Sequence, residues 1–260
     1  MTTLDDIVAY KKLELAQLKQ STPVSLLERR LKSRPPVRDF RQAIHRPGAL
    51  SLIAEIKRDS PSAGVIRPDA DPVEIAALYA NAGAQAISVL TDSKFFSGSI
   101  DDLRSVREKT PLPLLRKDFV LEEYSLVEAA AAGADSILLI AAILDRKILK
   151  RLLQFARDLE LTALLEVHTE KEIQEVLDVG ALVVGINNRD LATMKVDLQT
   201  TRRLLSFLPK DRTIVSESGY HSPEDVEMAR QLGVNAVLIG EEFMKAPDIA
   251  ARVKELMGCG

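Results

Sequence analysis

Several kinds of residue are scarce in this chain of 260 amino acids, which has no tryptophan, one cysteine and three histidines. Cys259 has no partner for a disulfide, and His45, His168 and His221 are too scattered to form a metal-ligand motif, so each is interpreted as an ordinary side chain. Met1–Gln20 is charged and helical in pattern, unlike a signal sequence, and no apolar run is long enough to span a membrane. These absences predict a cytoplasmic protein that binds neither a metal nor a membrane.

The chain also lacks an excess of one charge. Its 35 lysines and arginines and 38 aspartates and glutamates are interspersed, and the net charge is −3. Without a basic block, the chain is a poor candidate for binding nucleic acid or an anionic membrane surface. Aromatic residues make up 4% of the chain and all hydrophobic residues 46%, so aliphatic side chains must fill the core. The length fits two small domains or one large α/β barrel.

The chain does contain a regular alternation of short apolar runs and amphipathic stretches. Eight runs have the composition of strands: Leu50–Ile56, Ala86–Leu90, Leu112–Arg116, Ser136–Ile140, Ala163–Val167, Leu182–Ile186, Thr213–Ser216 and Ala236–Ile239. The stretches between them predict helices, among them Pro72–Asn81, Leu121–Ala132, Arg146–Glu160, Glu170–Val179 and Pro223–Leu232. This alternation predicts βαβ units and a parallel sheet, and strands that are apolar throughout fit a sheet covered on both faces.

An internal repeat indicates which kind of sheet forms. Gly83, Gly133, Gly180 and Gly233 each lie between a predicted helix and the next strand, at spacings of 50, 47 and 53 residues. Glycine adopts the left-handed conformation that ends a helix, so every second helix-to-strand turn is built alike. Four such quarters give eight strands and predict an α/β fold, a closed (β/α)8 TIM barrel. An open doubly wound sheet is the alternative, although Lys57–Gly64 is not the glycine-rich turn that such a sheet normally carries after its first strand.

Residues 1–49 precede the first predicted strand. Leu4–Lys19 and Val24–Lys32 have helical patterns, and Pro35-Pro36 breaks the second. The segment is too short and too charged to form its own core, so we interpret it as an N-terminal helical extension of one barrel domain over residues 1–260. Because this segment is amphipathic, we expect it to cover the barrel mouth, and a chain without residues 1–45 should remain a soluble barrel.

Polar residues fall at the predicted strand ends. Glu55 and Lys57 share one face of the first strand, where opposite charges are costly unless they pair or take part in chemistry. The later strands end in a similar set, namely Lys117, Glu166, Asn187 with Arg189, Glu217, and Glu241. In a closed barrel these ends meet at the mouth, where convergent acids and bases shift one another's pKa values. Taken singly, each residue has a plain structural interpretation as part of a salt bridge, a turn or a solvated surface.

Glycines after the last two strands predict an anion site. Gly219 precedes a helix that begins near Ser222-Pro223, and Gly240 precedes a short helix, Glu241–Met244. Backbone amides at such turns bind phosphate in barrels of this kind, and a Cβ atom at either glycine should crowd the anion. The alternative is that both glycines only permit tight turns. Together with the strand ends, they predict a phosphorylated small-molecule substrate and acid–base chemistry.

A set of motifs occurs in a fixed order along the chain: Ile53-Ala54-Glu55-Ile56-Lys57-x-x-Ser60-Pro61-Ser62-x-Gly64, Ser88-Val89-Leu90-Thr91, Phe96-x-Gly98-Ser99, Leu115-x-Lys117-Asp118-Phe119, Glu166-Val167-His168, Gly185-Ile186-Asn187-Asn188-Arg189-Asp190-Leu191, Glu217-Ser218-Gly219 and Leu238-Ile239-Gly240-Glu241. In this set the chain closely resembles the indole-3-glycerol-phosphate synthase family of tryptophan biosynthesis, from about Leu4 to Met257. It departs from the family in two places, since Asp92 stands where glutamate is more usual and the N-terminal helix has no tryptophan for the pocket.

The resemblance implies a reaction that needs no metal or organic cofactor. It converts 1-(2-carboxyphenylamino)-1-deoxyribulose 5-phosphate to indole-3-glycerol phosphate and releases carbon dioxide and water. By resemblance, Lys117 is the acid for ring closure, and its charge also stabilises the developing oxyanion. Glu166 is by resemblance the acid–base group for dehydration. Lys57, oriented by Glu55, is expected to bind the substrate carboxylate or to assist dehydration.

The remaining site residues are also carried over from the resemblance. Asn187 is expected to hydrogen-bond the reacting centre, and Arg189 to position the substrate. The pocket for the anthranilate ring is expected to comprise Pro61, Phe96, Phe119, Leu138, Leu191 and Ile239. The phosphate site is expected to comprise Ser218, Gly219, Gly240 and Glu241, with Ser60 as a further member.

Two other functions fit the same barrel. One is a different phosphosugar lyase or isomerase, such as phosphoribosylanthranilate isomerase or a Schiff-base aldolase, which fold alone does not exclude. Glu55, Lys57, Lys117 and Glu166 suit two-step acid–base chemistry better than a single Schiff-base lysine. The other is a catalytically silent assembly subunit, which the intact polar residues at the strand ends argue against. We expect the chain to act as a monomer.

Overall fold

The computed structural model describes residues 4–191 and 193–258. Cys259 therefore lies outside the described residues. Eight parallel strands close into a barrel: β1 (Ser51–Ile56), β2 (Ala86–Leu90), β3 (Leu114–Lys117), β4 (Ser136–Ile140), β5 (Thr162–Val167), β6 (Val183–Asn187), β7 (Thr213–Glu217) and β8 (Ala236–Ile239). Because β1 pairs with both β2 and β8, the sheet has no edge, and the predicted closed barrel is confirmed over the open alternative.

Helices surround the barrel in the predicted alternation. They are α1 (Leu4–Ser21), α2 (Val24–Leu31), α3 (Phe40–Ile44), α4 (Pro72–Asn81), α5 (Ser93–Phe96), α6 (Ile100–Lys109), α7 (Glu123–Ala131), α8 (Arg146–Asp158), α9 (Glu170–Asp178), α10 (Gln199–Leu205), α11 (Pro223–Leu232), α12 (Glu241–Lys245) and α13 (Ile249–Met257). A short antiparallel hairpin, Asp59–Ser60 with Gly64–Val65, follows β1. Within the described ranges, no helix is long and apolar enough to cross a membrane.

Local sequence signals fix several of these boundaries. Ser222 and Asp225 form the capping box at the predicted start of α11, and Pro223 occupies its first turn. The four repeat glycines all have positive φ, as a left-handed helix end requires. Strand β3 begins two residues later than predicted, at Leu114, because Pro113 has no N–H for the ladder. Strands β6 and β7 each extend one residue further, so Asn187 and Glu217 are part of the barrel wall.

Two apolar cores lie on either side of the barrel wall. The larger core packs the outer strand faces against the helices, and the smaller fills the barrel interior. The interior core has aliphatic side chains from every strand: Ile53, Ala86, Leu115, Leu138, Ile140, Leu164, Val183, Val215, Ala236 and Leu238. The charged side chains nearer the mouth therefore lie directly above a closely packed apolar core.

The N-terminal extension contacts both ends of the barrel. At the mouth, formed by the C-terminal ends of the strands, α1 places Leu4 and Ile7 against the cavity. Helix α2 packs beside α7, where Leu27 is fully buried with Leu15. At the opposite end, α3 was not predicted, and its Phe40 and Ile44 close the base of the interior core.

The base contact changes the expectation for a truncated chain. Arg41 Nε and His45 Nδ1 lie 3.1 Å and 3.0 Å from the Thr213 hydroxyl, which ties α3 to β7. Removing residues 1–45 would therefore open the interior core as well as the mouth. Because this deletion also removes α3, it does not isolate the contribution of α1 to the mouth. Single substitutions in α1 test that contribution directly.

Candidate active site

One cavity opens at the mouth of the barrel, and every residue predicted for the site lines it. These residues are Glu55, Lys57, Ser60, Pro61, Phe96, Lys117, Phe119, Leu138, Glu166, Asn187, Arg189, Leu191, Ser218, Gly219, Ile239, Gly240 and Glu241. Other lining residues were not predicted for the site, among them Leu4, Ile7, Asp118, Met194, Glu217 and Tyr220. The structure thus brings the predicted residues into one place without testing their roles.

Four ionisable side chains form a layer across the cavity floor, here called the catalytic layer. It consists of Glu55, Lys117, Glu166 and Glu217, one each from β1, β3, β5 and β7. In a closed barrel, inward-pointing side chains from alternate strands lie at the same height. The four side chains therefore meet in one layer, because they come from β1, β3, β5 and β7. The Lys117 Nζ atom lies 3.3 Å from Glu166 Oε2 and 3.6 Å from Glu217 Oε2. One ammonium therefore faces three carboxyl groups in a buried layer.

The charges in this layer set one another's proton affinity. Burial works against the charged form of Lys117, but Glu166, Glu217 and Glu55 outweigh it and raise the Lys117 pKa. Burial likewise opposes the carboxylate of Glu166, yet Lys117, His168 and a hydrogen bond from Asn187 lower its pKa. At neutral pH the layer therefore holds an ammonium at Lys117 and a carboxylate at Glu166, which are an acid and a base in their working forms.

Glu217 is the member of the layer that sequence reasoning did not assign to the site. Its side chain is 2% exposed, and neither carboxyl oxygen has a hydrogen-bond partner among the described residues. Burial, reinforced by Glu166 and Glu55 and opposed by Lys117, raises the Glu217 pKa to about 8. A signal for this residue was present at Gly185 of β6, where a Cβ atom would lie 2.2 Å from Glu217 Oε1. That missing side chain makes the space for the carboxyl group.

The predicted partners of the layer are held at its rim. The Lys57 Nζ atom lies 2.9 Å from Glu55 Oε1, which gives the ion pair expected from strand parity. The Asn187 side-chain oxygen accepts hydrogen bonds from the Ser218 hydroxyl at 2.9 Å and from the Arg189 N–H at 3.0 Å. Because the Asn187 oxygen accepts these two bonds, its NH₂ group is the part that donates a hydrogen bond to Glu166.

The apolar part of the cavity lies on one side of the layer. Phe96 and Phe119 pack with ring centroids 6.2 Å apart and an interplanar angle of 38°. Helix α1 adds Leu4 and Ile7 to this wall. The arrangement leaves an apolar slot beside charged groups, which suits a flat aromatic ring that carries a polar substituent.

The glycines of the expected phosphate site lie close to protein side chains as well. Ser218 and Gly219 both have positive φ, at 69° and 92°, which gives a tight turn after β7. A Cβ atom on Gly219 would lie 2.5 Å from Val196 Cγ1, and one on Gly240 would lie 2.8 Å from both Cβ and Oε1 of Glu55. An alanine at either position would therefore clash with protein side chains. At Gly240 it would displace a member of the catalytic layer.

A second buried ionic group lies beside the cavity and is here called the support cluster. It consists of Lys11, Asp92, Arg116, Asp118 and Glu128. The Lys11 Nζ atom from α1 lies 2.8 Å from Asp92 Oδ2 and 2.9 Å from Asp118 Oδ1. Arg116 joins Asp118 to Glu128 at 3.1 Å and 2.8 Å. Asp92 therefore binds the N-terminal helix through Lys11.

No cluster of three or more His, Cys, Asp or Glu side chains within residues 4–191 and 193–258 is arranged to hold a metal ion. The groups that converge in the cavity are amines, carboxyl groups, an amide and a guanidinium. Such a set supports proton transfer and anion binding by the side chains themselves.

Comparison with known proteins gives consistent results along the whole chain. The sequence model of the family described as "Indole-3-glycerol phosphate synthase" matches residues 4–256. The chain is 44% identical to the indole-3-glycerol phosphate synthase of Roseiflexus castenholzii, covering 99% of this chain and 98% of that protein. It is 46% identical to that of Caldanaerobacter subterraneus subsp. tengcongensis, covering 98% and 97%. A 3-hexulose-6-phosphate synthase from Salmonella typhimurium shares the fold, with a TM-score of 0.66, 13% identity, and coverage of 80% and 97%.

Proposed function

Because the chain belongs to the indole-3-glycerol phosphate synthase family of decarboxylating lyases in tryptophan biosynthesis, we propose that the barrel mouth carries out the family's ring closure through the catalytic layer. The observation that carries this assignment is the position of the Lys117 ammonium, 3.3 Å from Glu166 and 3.6 Å from Glu217, in a buried layer at the floor of an apolar slot. An acid and a base in their working forms stand side by side there, as a two-step proton-transfer reaction requires.

Lys117 is proposed as the acid of the first step. The aromatic carbon that bears the carboxylate attacks the ketose carbonyl carbon, and the carbonyl π electrons move to oxygen. The Lys117 ammonium stabilises this oxyanion and gives it a proton. Carbon dioxide then leaves, and its bonding electrons restore the aromatic ring. A lysine with a raised pKa keeps its proton until the oxyanion forms, so it supplies charge first and the proton second.

Glu166 is proposed as the acid–base group of the second step, dehydration. The hydroxyl made by ring closure takes a proton, for which the Lys57 ammonium is the candidate donor, and leaves as water, while a base removes a proton from the neighbouring carbon to complete the indole. The lowered pKa of Glu166 keeps it a carboxylate suited to this removal. Lys57, held 2.9 Å from Glu55, is proposed to bind the substrate carboxylate or to assist the loss of water.

The rest of the cavity is proposed to hold the two ends of the substrate apart. Pro61, Phe96, Phe119, Leu138, Leu191 and Ile239 form the proposed site for the anthranilate ring, and Ser60, Ser218, Gly219, Gly240 and Glu241 the proposed site for the phosphate. Arg189 lines the cavity 3.6 Å from Glu241 Oε2 and donates its backbone N–H to Asn187, so it is proposed to position both the substrate and Asn187. Binding both ends fixes the ring carbon against the carbonyl, which lowers the entropic part of the barrier.

Helix α1 is proposed as a cover for the apolar end of the substrate, and residues 1–49 as part of one domain with the barrel. Leu4 and Ile7 line the cavity, while Phe40 is fully buried at the base. A segment that contributes to both ends of one core has no separate core to fold around. We also propose that the chain works as a monomer in the cytoplasm on this small molecule, which size-exclusion chromatography with light scattering would test.

Single-turnover kinetics would test the proposed roles. The substrate carries a labelled carboxylate, and gas release and indole absorbance are followed separately. Lys117→Met should block ring closure, so that no carbon dioxide appears. Glu166→Gln should slow dehydration and leave gas release at least partly intact. Each loss in kcat should reach about 10²-fold or more, the usual scale for a positioned acid–base group.

The matched controls are Lys171→Met and Glu175→Gln, which remove the same groups from an outer pair on α9 whose lysine is 87% exposed. Both should turn over normally. Near-normal turnover in Lys117→Met would overturn its role as the acid. If both active-site variants stall before decarboxylation, the division between the two steps is wrong.

A further inference from the structure

His168 lies directly behind Glu166, outside the residues that line the cavity. It follows β5 immediately, and its ring is largely buried. Its Nε2 atom is 3.5 Å from Glu166 Oε1, whereas Lys117 faces the other oxygen, Oε2, at 3.3 Å. The two oxygens of Glu166 therefore have different neighbours, one on the cavity side and one on the helix side.

A second carboxylate holds the far side of the His168 ring. Thr169 caps α9 by accepting a hydrogen bond from the Glu172 N–H at 3.2 Å, a pattern that turns the Glu172 side chain back toward the strand end. Glu172 Oε2 accepts the backbone N–H of His168 at 2.6 Å and lies 3.5 Å from the ring atom Nδ1. Local sequence, Thr-x-x-Glu at a helix start, thus places an anion against the histidine.

The charge of the ring follows from these contacts. Both ring nitrogens are shielded from solvent, and within the described residues neither forms a hydrogen bond of ordinary geometry. A neutral imidazole would turn the lone pair of one nitrogen toward a carboxylate, whereas the imidazolium presents an N–H to each. The titratable groups that face it are Glu166 of β5, Glu172 of α9 and Glu217 of β7. Burial works against the charged ring, but the long hydrogen bond and charge of Glu172 and the carboxylate of Glu166 outweigh it and raise the His168 pKa.

We propose that His168 is a positioning residue that carries a positive charge behind Glu166 and keeps this carboxylate ionised while Lys117 gives its proton to the substrate. The inference rests on the proposed roles of Lys117 and Glu166. When Lys117 loses its proton, Glu166 loses the charge of its nearest cation at the moment before it must act as a base. His168 lies away from the reacting atoms, so its charge persists through this step.

Nuclear magnetic resonance measures the charge directly. With only three histidines in the chain, ¹⁵N-histidine labelling gives few signals, and the signal missing from His168→Gln identifies the residue. The His168 signal should be that of an imidazolium at pH 7. Glu172→Gln removes the outer carboxylate without touching Glu166 and should lower the pH at which His168 titrates. Glu175→Gln, the same change one turn further along α9, should leave the titration unchanged.

The dependence of kcat on pH measures the consequence. His168→Gln keeps a donor but removes the charge, which should raise the pKa of Glu166 and move the acidic limb of the profile to higher pH. The loss of kcat should be largest on the acidic limb, up to about tenfold for a displacement of one pKa unit, and kcat should return toward the wild-type value as pH rises. Glu172→Gln should give a smaller displacement in the same direction, and KM should change little in both variants.

Three outcomes separate the possibilities. A neutral His168 at pH 7 would overturn the proposal whatever the kinetics show. A loss of kcat that is equal at every pH would also overturn it, because a purely structural role predicts a uniform loss. If Glu166→Gln releases carbon dioxide and forms indole at the normal rate, the proposed role of Glu166 fails, whereas the charge of His168 is still decided by its own titration. Glu172→Gln keeps the test valid if His168→Gln does not fold.

Discussion

The catalytic layer and the support cluster lie at the same end of the barrel and are both buried, yet Glu217 of the first and Asp118 of the second have pKa values shifted in opposite directions. In the catalytic layer one ammonium faces three carboxyl groups, and burial with the neighbouring carboxylates raises the Glu217 pKa to about 8. In the support cluster two cations share three carboxylates. Burial opposes the charge of Asp118, but Arg116, Lys11 and a hydrogen bond from Thr91 lower its pKa well below the usual range. The difference lies in direct partners and not in depth, because Asp118 is held by two cations and the Thr91 hydroxyl, whereas neither carboxyl oxygen of Glu217 has a hydrogen-bond partner among the described residues.

Strand β3 shows how closely the two kinds of environment can lie. Lys117 enters the catalytic layer, whereas Arg116 turns outward to the Ser125 carbonyl of α7 at 2.9 Å and to Glu128. Successive side chains of a strand point to opposite faces, so one step along the chain moves a cation from the barrel interior to the helix layer. Three substitutions would break or sharpen this comparison.

Arg116→Met should have the largest effect and should act on stability. It leaves Asp118 and Glu128 buried without their shared cation, which costs about 3–5 kcal/mol for a broken buried pair. Urea unfolding at pH 7 measures this loss. The control is Arg104→Met, whose partner Asp101 is 77% exposed and which should change the unfolding free energy by less than about 0.5 kcal/mol. Equal losses in the two variants would remove the distinction between the support cluster and a surface pair.

Glu217→Gln should change stability in the other direction. Between the unfolded pKa of a glutamate, about 4.3, and the folded value of about 8, the native state holds a proton that the unfolded state has released. The unfolding free energy of the wild type therefore falls as pH rises through this window, whereas glutamine has no proton to hold. We expect the variant to be more stable by about 2 kcal/mol at pH 7 and to have lower kcat.

Unfolding of both proteins at pH 5, 7 and 8.5 checks this result. The advantage of Glu217→Gln should grow from the first pH to the last. A constant difference would mean that Glu217 titrates normally and that the catalytic layer is as well compensated as the support cluster.

Lys11→Met should destabilise the protein less than Arg116→Met and should link the two regions. It leaves Asp92 and Asp118 without the α1 ammonium, but α1 lies at the surface and can move to admit water, so we expect a loss of about 2 kcal/mol. Leu4 and Ile7 lie on the same helix, so a looser α1 should raise KM by about tenfold with little change in kcat. Steady-state kinetics measure the split. The exposed neighbour supplies the control, Lys12→Met, which should leave KM unchanged.

The fold was predictable because its signals are local and repeated. Strands β2, β4 and β8 and helices α4 and α11 have the predicted bounds, since apolar period, capping residues and helix-ending glycines all agree there. Helix α3 was missed because five residues carry too little periodicity, although Asp39 accepts the Gln42 N–H as a helix cap. The confirmed elements were those with several agreeing signals.

The site was predictable to the extent that strand parity determines it. Alternation along the strand predicted that Glu55 and Lys57 share one face. The position of Lys117, Glu166 and Asn187 at strand ends predicted that they lie at the barrel mouth. Strand parity does not identify the partners of Lys11, because Lys11 lies on a helix that has several other charged residues. Its contacts with Asp92 and Asp118 depend on the tertiary structure. Glu217 was noticed at a strand end, but its isolation depends on the space above Gly185, a contact between two different strands.

The closure of the barrel base by α3 has a consequence for how the chain is made. Phe40 and Ile44 are synthesised early, but their neighbour Arg41 bonds Thr213, which follows it by 172 residues. During translation this apolar helix therefore emerges long before β7 and β8 exist to receive it. Until then its buried face is open to solvent or to chaperones, and the base can close only when the last strands leave the ribosome. Helix α3, although made early, is thus expected to be among the last elements to reach its final place.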